Sequence, residues 1–204
     1  MTYLYHITHI NNLDSILKSG FIYSKNNNPR PIVNIAYEGI QDRRARKQIA
    51  IKPFGCLHDY VPFYLCPRCP MLLAIHNNAV ENYKDGQDKI IHLVTTTDLI
   101  INDKIQFVFS DGHAAMDISE FFNSITDIDK LDWETIKAEY WANTDDDPDK
   151  KRRKQAEFLV YEKFPVTGII GIGVMNENIK QASEKILLQN NIKNDVKIIK
   201  KWYY

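Results

Sequence analysis

The stretch Tyr5-His6-Ile7-Thr8-His9-Ile10-Asn11-Asn12-Leu13-Asp14-Ser15-Ile16-Leu17-Lys18-Ser19-Gly20 restricts what this chain can fold into more than any other. Its pattern predicts a short strand, a polar turn and a helix stopped by glycine. Asn11 or Asn12 can cap the helix, because a side-chain oxygen there accepts a bond from a first-turn N–H. Leu13, Ile16 and Leu17 then fall on one helical face. Gly20 supplies the left-handed residue that ends it. His6, Thr8 and His9 are thereby placed where a strand runs out into a loop, a common position for ligand-binding groups. The rest of the chain is expected to build a cleft around this strand end.

A chain of 204 residues predicts a single domain over 1–204 with a core that needs neither disulfide nor metal. Hydrophobic residues make up 44% and charged residues 25%, the balance of an ordinary soluble protein. No apolar run approaches a membrane span, and the first residues lack a basic-then-apolar signal pattern. Three cysteines are too few and too odd for a disulfide framework, so a reducing cytoplasm is the expected location. Zero net charge excludes a globally basic protein that coats nucleic acid. Two local basic runs remain, one at Arg43, Arg44, Arg46 and Lys47 and one from Lys150 to Lys154. Each reads equally as a solvated face or as a local binding patch.

Along the chain, 21–23 suits a brief strand, 24–31 a polar Asn-rich loop, and 35–47 a helix carrying the first basic run. Strands are also expected from Leu57 through the aromatic run to Leu65, and at 89–95, 105–109, 156–161, 169–174 and 196–202. Helices are expected from Met71, with Pro70 tolerated in the first turn, and over 177–189. Another starts at Trp133, capped by Asp132, with Ile136 and Tyr140 on one face. Asp111-Gly112-His113 reads as a turn, and 143–151 as an acidic-then-basic loop. Short strands mixed with scattered helices predict an α+β fold, not a βαβ repeat.

Two motifs carry chemistry on their own. Cys56-x-His58 with Cys66-x-x-Cys69 offers three thiolates and an imidazole to a tetrahedral zinc, or else a pair of turn cysteines beside prolines. On the zinc reading the chain would be a metal-stabilised nucleic-acid-binding module without catalysis. Glu157, in Lys154-Gln155-Ala156-Glu157-Phe158-Leu159-Val160, places a carboxylate in an apolar strand, where it must find a partner or face a cavity. A structural ion pair and a catalytic group are both open to it. His6 and His9 lack a helical His-Glu-x-x-His pattern, and as core histidines, the usual case, they need no special role. No Walker sequence or Gly-x-Ser-x-Gly elbow occurs, which argues against NTPase and hydrolase classes.

His6-x-Thr8, Asn12, Ile16-Leu17 and Gly20 resemble the opening motif of poly(ADP-ribose) polymerase-type ADP-ribosyltransferases. Later runs are similar to DarT, the family of DNA ADP-ribosyltransferase toxins. They are His58-Asp59-Tyr60-Val61-Pro62-Phe63-Tyr64, Pro70-Met71, Phe107-Val108-Phe109-Ser110-Asp111-Gly112-His113, Leu131-Asp132-Trp133, Gln155-Ala156-Glu157 and Trp202-Tyr203. The resemblance implies an α+β ADP-ribosyltransferase fold, two packed and mostly antiparallel sheets with peripheral helices and an NAD cleft. It implies that NAD is the co-substrate, with no metal, and that Glu157 and Arg44 are catalytic. It places His6, Ile7, Thr8, Asn12, Gly20, Tyr64 and Arg44 at the NAD site, with a loop over about 26–46 closing on it. The stretch from about 110 to 155 would hold the acceptor, with His113, Trp133, Tyr140 and Trp141 as stacking candidates, the two tryptophans reading at least as well as core residues. The reaction so implied is transfer of ADP-ribose to a nucleobase, thymidine foremost, in single-stranded DNA. RNA or a protein side chain is the alternative acceptor. A macrodomain antitoxin, DarG, is the implied partner of a monomeric toxin. The turn Cys66-Pro67-Arg68-Cys69-Pro70 departs from the family pattern.

Overall fold

The structure is a computed structural model that describes residues 1–27 and 31–204. In chain order the elements are β1 (Tyr3–His9), α1 (Leu13–Ser19), β2 (Phe21–Tyr23), α2 (Glu38–Arg46), β3 (Tyr60–Tyr64), α3 (Pro70–His76), β4 (Ile90–Thr96) and α4 (Thr97–Asn102). They continue with β5 (Phe107–His113), β6 (Phe121–Phe122), α5 (Trp133–Lys137), α6 (Lys150–Arg153), β7 (Ala156–Tyr161), β8 (Lys163–Pro165), β9 (Gly171–Val174), α7 (Glu177–Gln189) and β10 (Val196–Ile198). Eight strands form one sheet in the order β10-β9-β4-β1-β3-β7-β5-β6, and β2 pairs with β8 in a small second sheet. Every pairing is antiparallel except β10 with β9.

The pairing is uneven, and this positions the site. β1 and β4 match residue for residue from Tyr3↔Thr96 to His9↔Ile90, whereas β1 and β3 share the single registered pair Tyr5↔Tyr64. The large sheet is therefore two four-stranded halves hinged at one seam. The two expected sheets are joined there into one.

Period-two burial follows from the pleat. Phe63, Phe109, Phe158, Val160, Ile91 and Leu93 face one side, where Leu13 and Leu17 of α1 and Leu187 of α7 cover them. On the other side, Ile90 and Ile7 pack with Leu72 and Ile75 of α3, while Tyr60, Val108 and Leu159 pack with Ile49 and Leu57.

Local details depart from the sequence reading where tertiary partners intervene. Gly20 ends α1 in the left-handed region at φ 77°, as expected. Asn12 stands at the cap position without making the cap bond, because its side chain is engaged elsewhere. Asp132 caps α5 through Thr135 N at 3.0 Å, but the helix stops at Lys137 and leaves Tyr140 outside it, 84% exposed. Asp111-Gly112-His113 is not a turn: it continues β5, which carries a register shift between Phe109 and His113. The terminal strand shortens to β10, and Lys200–Trp202 forms a 3-10 turn.

Candidate active site

A cavity of about 1010 Å³ opens along the seam. His6, Ile7 and Thr8 of β1 line one wall, and Pro62 and Tyr64 of β3 and Glu157 of β7 line the other. Tyr64 and Glu157 are register partners on adjacent strands, so the pleat presents both side chains to the same face. Glu157 is 6% exposed, and the Nη1 of Arg44 donates to both of its carboxylate oxygens, at 3.0 and 2.9 Å. The ion pair and the cavity-facing carboxylate, alternatives in the sequence, are thus one arrangement. A single guanidinium nitrogen straddles the carboxylate, which leaves the other nitrogens of Arg44 clear of it. Beneath, Ser110 Oγ accepts from the Glu157 N–H at 3.2 Å and donates to Gly112 O at 2.6 Å, tying β7 to the irregular end of β5.

The two walls hold neutral groups beside that ion pair. His6 Nδ1–H donates to Pro62 O at 2.9 Å, because a carbonyl can only accept. Its Nε2 is left as an acceptor. Burial lowers the His6 pKa, partly opposed by that bond, so the ring is neutral at pH 7. Burial also raises Tyr64 well above the usual phenol range, and the nearby Cys69 thiol and Glu157 carboxylate add to the shift. His113 lines the cavity where the irregularity in β5 carries it. Its Nδ1 accepts from Ala115 N at 3.2 Å, and burial again depresses its pKa, while Glu157 pulls it the other way.

Asn12 works through the backbone of a distant segment. Its Nδ2 donates to Thr8 Oγ1 at 3.0 Å and to Val33 O at 2.9 Å, and its Oδ1 accepts from Val33 N at 2.9 Å. This two-way clasp pins the segment beginning at Pro31 across the end of β1. Val33, Ile35 and Tyr37 then line the cavity. Helix α2 buries none of its residues and is held by polar contacts: Arg44 on Glu157, and Gln41 Oε1 accepting from Lys25 at 2.8 Å and from His58 Nε2 at 3.2 Å. The expected closing loop is therefore already folded over the site, apart from residues 28–30, which lie outside the described residues. No local signal in the sequence points to the Asn12–Val33, Gln41–His58 or Ser110–Glu157 contacts, since each joins segments far apart in the chain.

The structure sorts the remaining candidates. Gly20 does not line the cavity; its role is to end α1. His9 is 2% exposed and its Nδ1 accepts from Asn11 N at 3.1 Å, so it is a core histidine that caps a turn. Trp133 packs against the core and its Nε1 donates to Ile128 O at 2.9 Å. Of the stacking candidates, His113 and Trp141 line the cavity. The run from Lys150 to Lys154 is mostly internal. Arg152 forks onto Asp149 and reaches Asp111, Arg153 bridges Asp132 and Asp147, and buried Lys154 donates to Ile136 O and Ala138 O. A Cβ on Gly112 would collide with the Arg152 guanidinium, so glycine is what admits this strut beside the site.

The zinc alternative finds no cluster: among the described residues no group of three or more His, Cys, Asp or Glu is gathered as for a metal. Cys66 and Cys69 are buried with thiol pKa values raised chiefly by desolvation, which disfavours the thiolates zinc requires. His58 is turned to Gln41 instead.

A sheet parted at a seam, with His6, Tyr64 and Glu157 on the walls of the resulting cleft, is the arrangement that the resemblance to ADP-ribosyltransferases implies. The profile of a family described as "ssDNA thymidine ADP-ribosyltransferase, DarT" matches residues 5–204. A DNA ADP-ribosyl transferase of Thermus sp. (strain 2.9) is 44% identical, the alignment covering 100% of this chain and 96% of that protein. Thermus sp. 2.9 DarT in complex with ADP-ribosylated ssDNA superposes with a TM-score of 0.95 at 43% identity, covering 100% of this chain and 96% of that one. The same enzyme in complex with NAD+ gives 0.92 at 40% identity, covering 100% and 98%. The chain belongs to the DarT family.

Proposed function

We propose that this chain transfers ADP-ribose from NAD to thymidine in single-stranded DNA, with Glu157 and Arg44 as its catalytic pair. The observation that carries the assignment is the Glu157 carboxylate, buried against Arg44 at the cavity wall and in register with Tyr64. The solved complexes of the Thermus relative with NAD+ and with ADP-ribosylated ssDNA support the choice of substrates.

Cleaving the bond between ribose C1′ and the nicotinamide nitrogen leaves its electron pair on nicotinamide, which departs neutral, and positive charge develops on the sugar. Glu157 holds a fixed negative charge where water is scarce and stabilises that charge as it forms. His6, through its free Nε2, accepts a bond from a ribose hydroxyl, and Tyr64 offers a neutral ring for nicotinamide to stack on. Together with Ile7 and Thr8 they hold the dinucleotide in a reactive pose. Asn12 contributes by holding the covering segment, not as a direct ligand. A thymine ring nitrogen then bonds to C1′ and gives its proton to Glu157. Arg44 is a poor base, since a guanidinium is a cation with five N–H donors and no acceptor. It polarises the base and screens its developing negative charge. His113 and Trp141 flank the acceptor. The family resemblance extends the proposal to a monomeric cytoplasmic toxin countered by a DarG macrodomain.

The test is mass spectrometry of a mixed-sequence single-stranded oligonucleotide after incubation with protein and NAD, with Glu157→Ala alongside. One added ADP-ribose on thymidine, absent with the variant, is the expected result. Nicotinamide release without a DNA adduct would move the acceptor to RNA or protein, and an adduct that survives in the variant would remove Glu157 from the reaction.

A further inference from the structure

The first basic run of the sequence is only partly explained by catalysis. Arg44 turns inward to Glu157, but Arg43 and Arg46 are exposed, three residues apart and hence neighbours on one face of α2. Neither makes an ion pair among the described residues. They line a second, open recess of about 720 Å³ together with Lys47, Met116, Asp117 and Ile118. Its one carboxylate, Asp117, bonds Lys47 at 3.0 Å while its own side chain is 98% exposed, so the recess keeps a positive balance. Met116 and Ile118 are 39% and 63% exposed and supply an apolar floor. Met116 also lines the active-site cavity, so the recess and the cavity share this side chain as a common wall.

Exposed guanidiniums beside an apolar floor suit a strand with phosphates on one side and unstacked bases on the other. We propose that this recess binds the single-stranded DNA acceptor next to the reacting base. Arg43 and Arg46 take backbone phosphates, and a neighbouring base lies on Met116 and Ile118. The inference rests on the function proposed above and extends it, giving a chain of zero net charge a local electrostatic grip on its polyanionic substrate. It also gives neighbouring arginines of α2 separate tasks: Arg44 turns to Glu157, and the exposed Arg43 and Arg46 serve the strand.

The test is fluorescence anisotropy with a labelled oligonucleotide of about 12 nucleotides, over a series of salt concentrations. The proteins compared are wild type, the double variant R43Q/R46Q, and K200Q/K201Q, which removes the same charge from the turn after β10. Each lost phosphate contact on a single strand lowers the slope of log affinity against log salt by about 0.7. R43Q/R46Q is therefore expected to flatten the slope by roughly 1.4 and to weaken binding about tenfold or more at low salt. K200Q/K201Q should leave both near wild type, and unfolding temperatures verify that the variants are folded. An unchanged slope in R43Q/R46Q, or an equal drop in the control, overturns the proposal. The second result would reduce the effect to overall charge. An intact slope with loss of binding to an acidic protein partner would assign the recess to that partner instead. Adduct formation by wild type is scored separately, so failure of the transferase reading is seen as no ADP-ribose on any oligonucleotide, whatever the binding slopes.

Discussion

At the scale of single residues, the informative contact is the Arg44 nitrogen that touches both oxygens of Glu157. Had the guanidinium met the carboxylate fork to fork, lysine could not replace it. With one nitrogen on the carboxylate, an ammonium can take the same place, so the fold should tolerate Arg44→Lys. What lysine lacks are the remaining planar donors, which are the ones available to a bound base. Losing such a donor costs about 10²–10³ in rate. We expect Arg44→Lys to unfold within a few degrees of wild type and to lose about 100-fold in DNA modification, with a smaller loss in nicotinamide release. Thermal unfolding and parallel product assays check this; equal losses in both assays would confine Arg44 to the sugar step. Glu157 stood out in the sequence because an apolar strand rarely carries a carboxylate. That its partner is Arg44 was not legible from periodicity or spacing, since the two lie 113 positions apart.

At the scale of elements, the site depends on segments with little core of their own. Helix α2 buries nothing, and the segment at Val33 is clasped by one asparagine. A net hydrogen bond contributes about 1 kcal/mol, and about 1.4 kcal/mol is a tenfold change in binding. Asn12→Ala is therefore expected to raise the KM for NAD roughly tenfold while kcat changes little. Initial-rate kinetics decide this: a loss confined to kcat would show that the clasp acts on the chemical step and not on closing the site. The sequence offered Asn11 or Asn12 as the helix cap because the local rule applies wherever the backbone is free. Here Val33 competes for the same side chain and wins both its donor and its acceptor. Similarly, Asp111-Gly112-His113 has turn composition, yet β7 and Arg152 hold it as irregular strand.

At the scale of the whole molecule, stability is coupled to histidines held neutral inside. Burial pushes His58 and His92 from 6.5 to about 4. For His58 the neighbouring Lys25 and Arg44 add to the effect. His92 Nε2 donates to Pro67 O at 3.0 Å and its Nδ1 faces the Tyr203 hydroxyl at 3.2 Å, joining β4 to the cysteine turn and to the last residues. Above pH 6.5 neither the folded nor the unfolded state protonates these rings, and they add no pH dependence. Between pH 6.5 and about 4 the unfolded chain binds protons that the folded chain does not. Stability then falls by about 1.4 kcal/mol per pH unit for each histidine. The unfolding temperature should hold above pH 6.5 and drop progressively below it. His92→Gln, which keeps a donor and an acceptor, should remove about one proton from that slope. A melting temperature flat down to pH 5 would show that these histidines are not kept neutral.

The sequence by itself determined the units whose physics is local. These include the strand, turn and helix from Tyr5 to Gly20 with its left-handed stop, the Asp132 cap, and α7 over residues the helical pattern marked. Through the resemblance its motifs carry, it also implied roles for Glu157, Tyr64 and His6, and the structure gathers these three around one cavity. Only the tertiary structure decided that the two sheet halves part at one pair, that Arg44 faces inward while Arg43 and Arg46 face out, and that Arg152, Arg153 and Lys154 serve as internal struts. The physical reason is that charge and hydrogen-bonding capacity have no sequence range: a guanidinium serves a partner in contact equally well at three positions or at a hundred. Backbone propensity and hydrophobic period, by contrast, act between near neighbours and are written in the order of the residues.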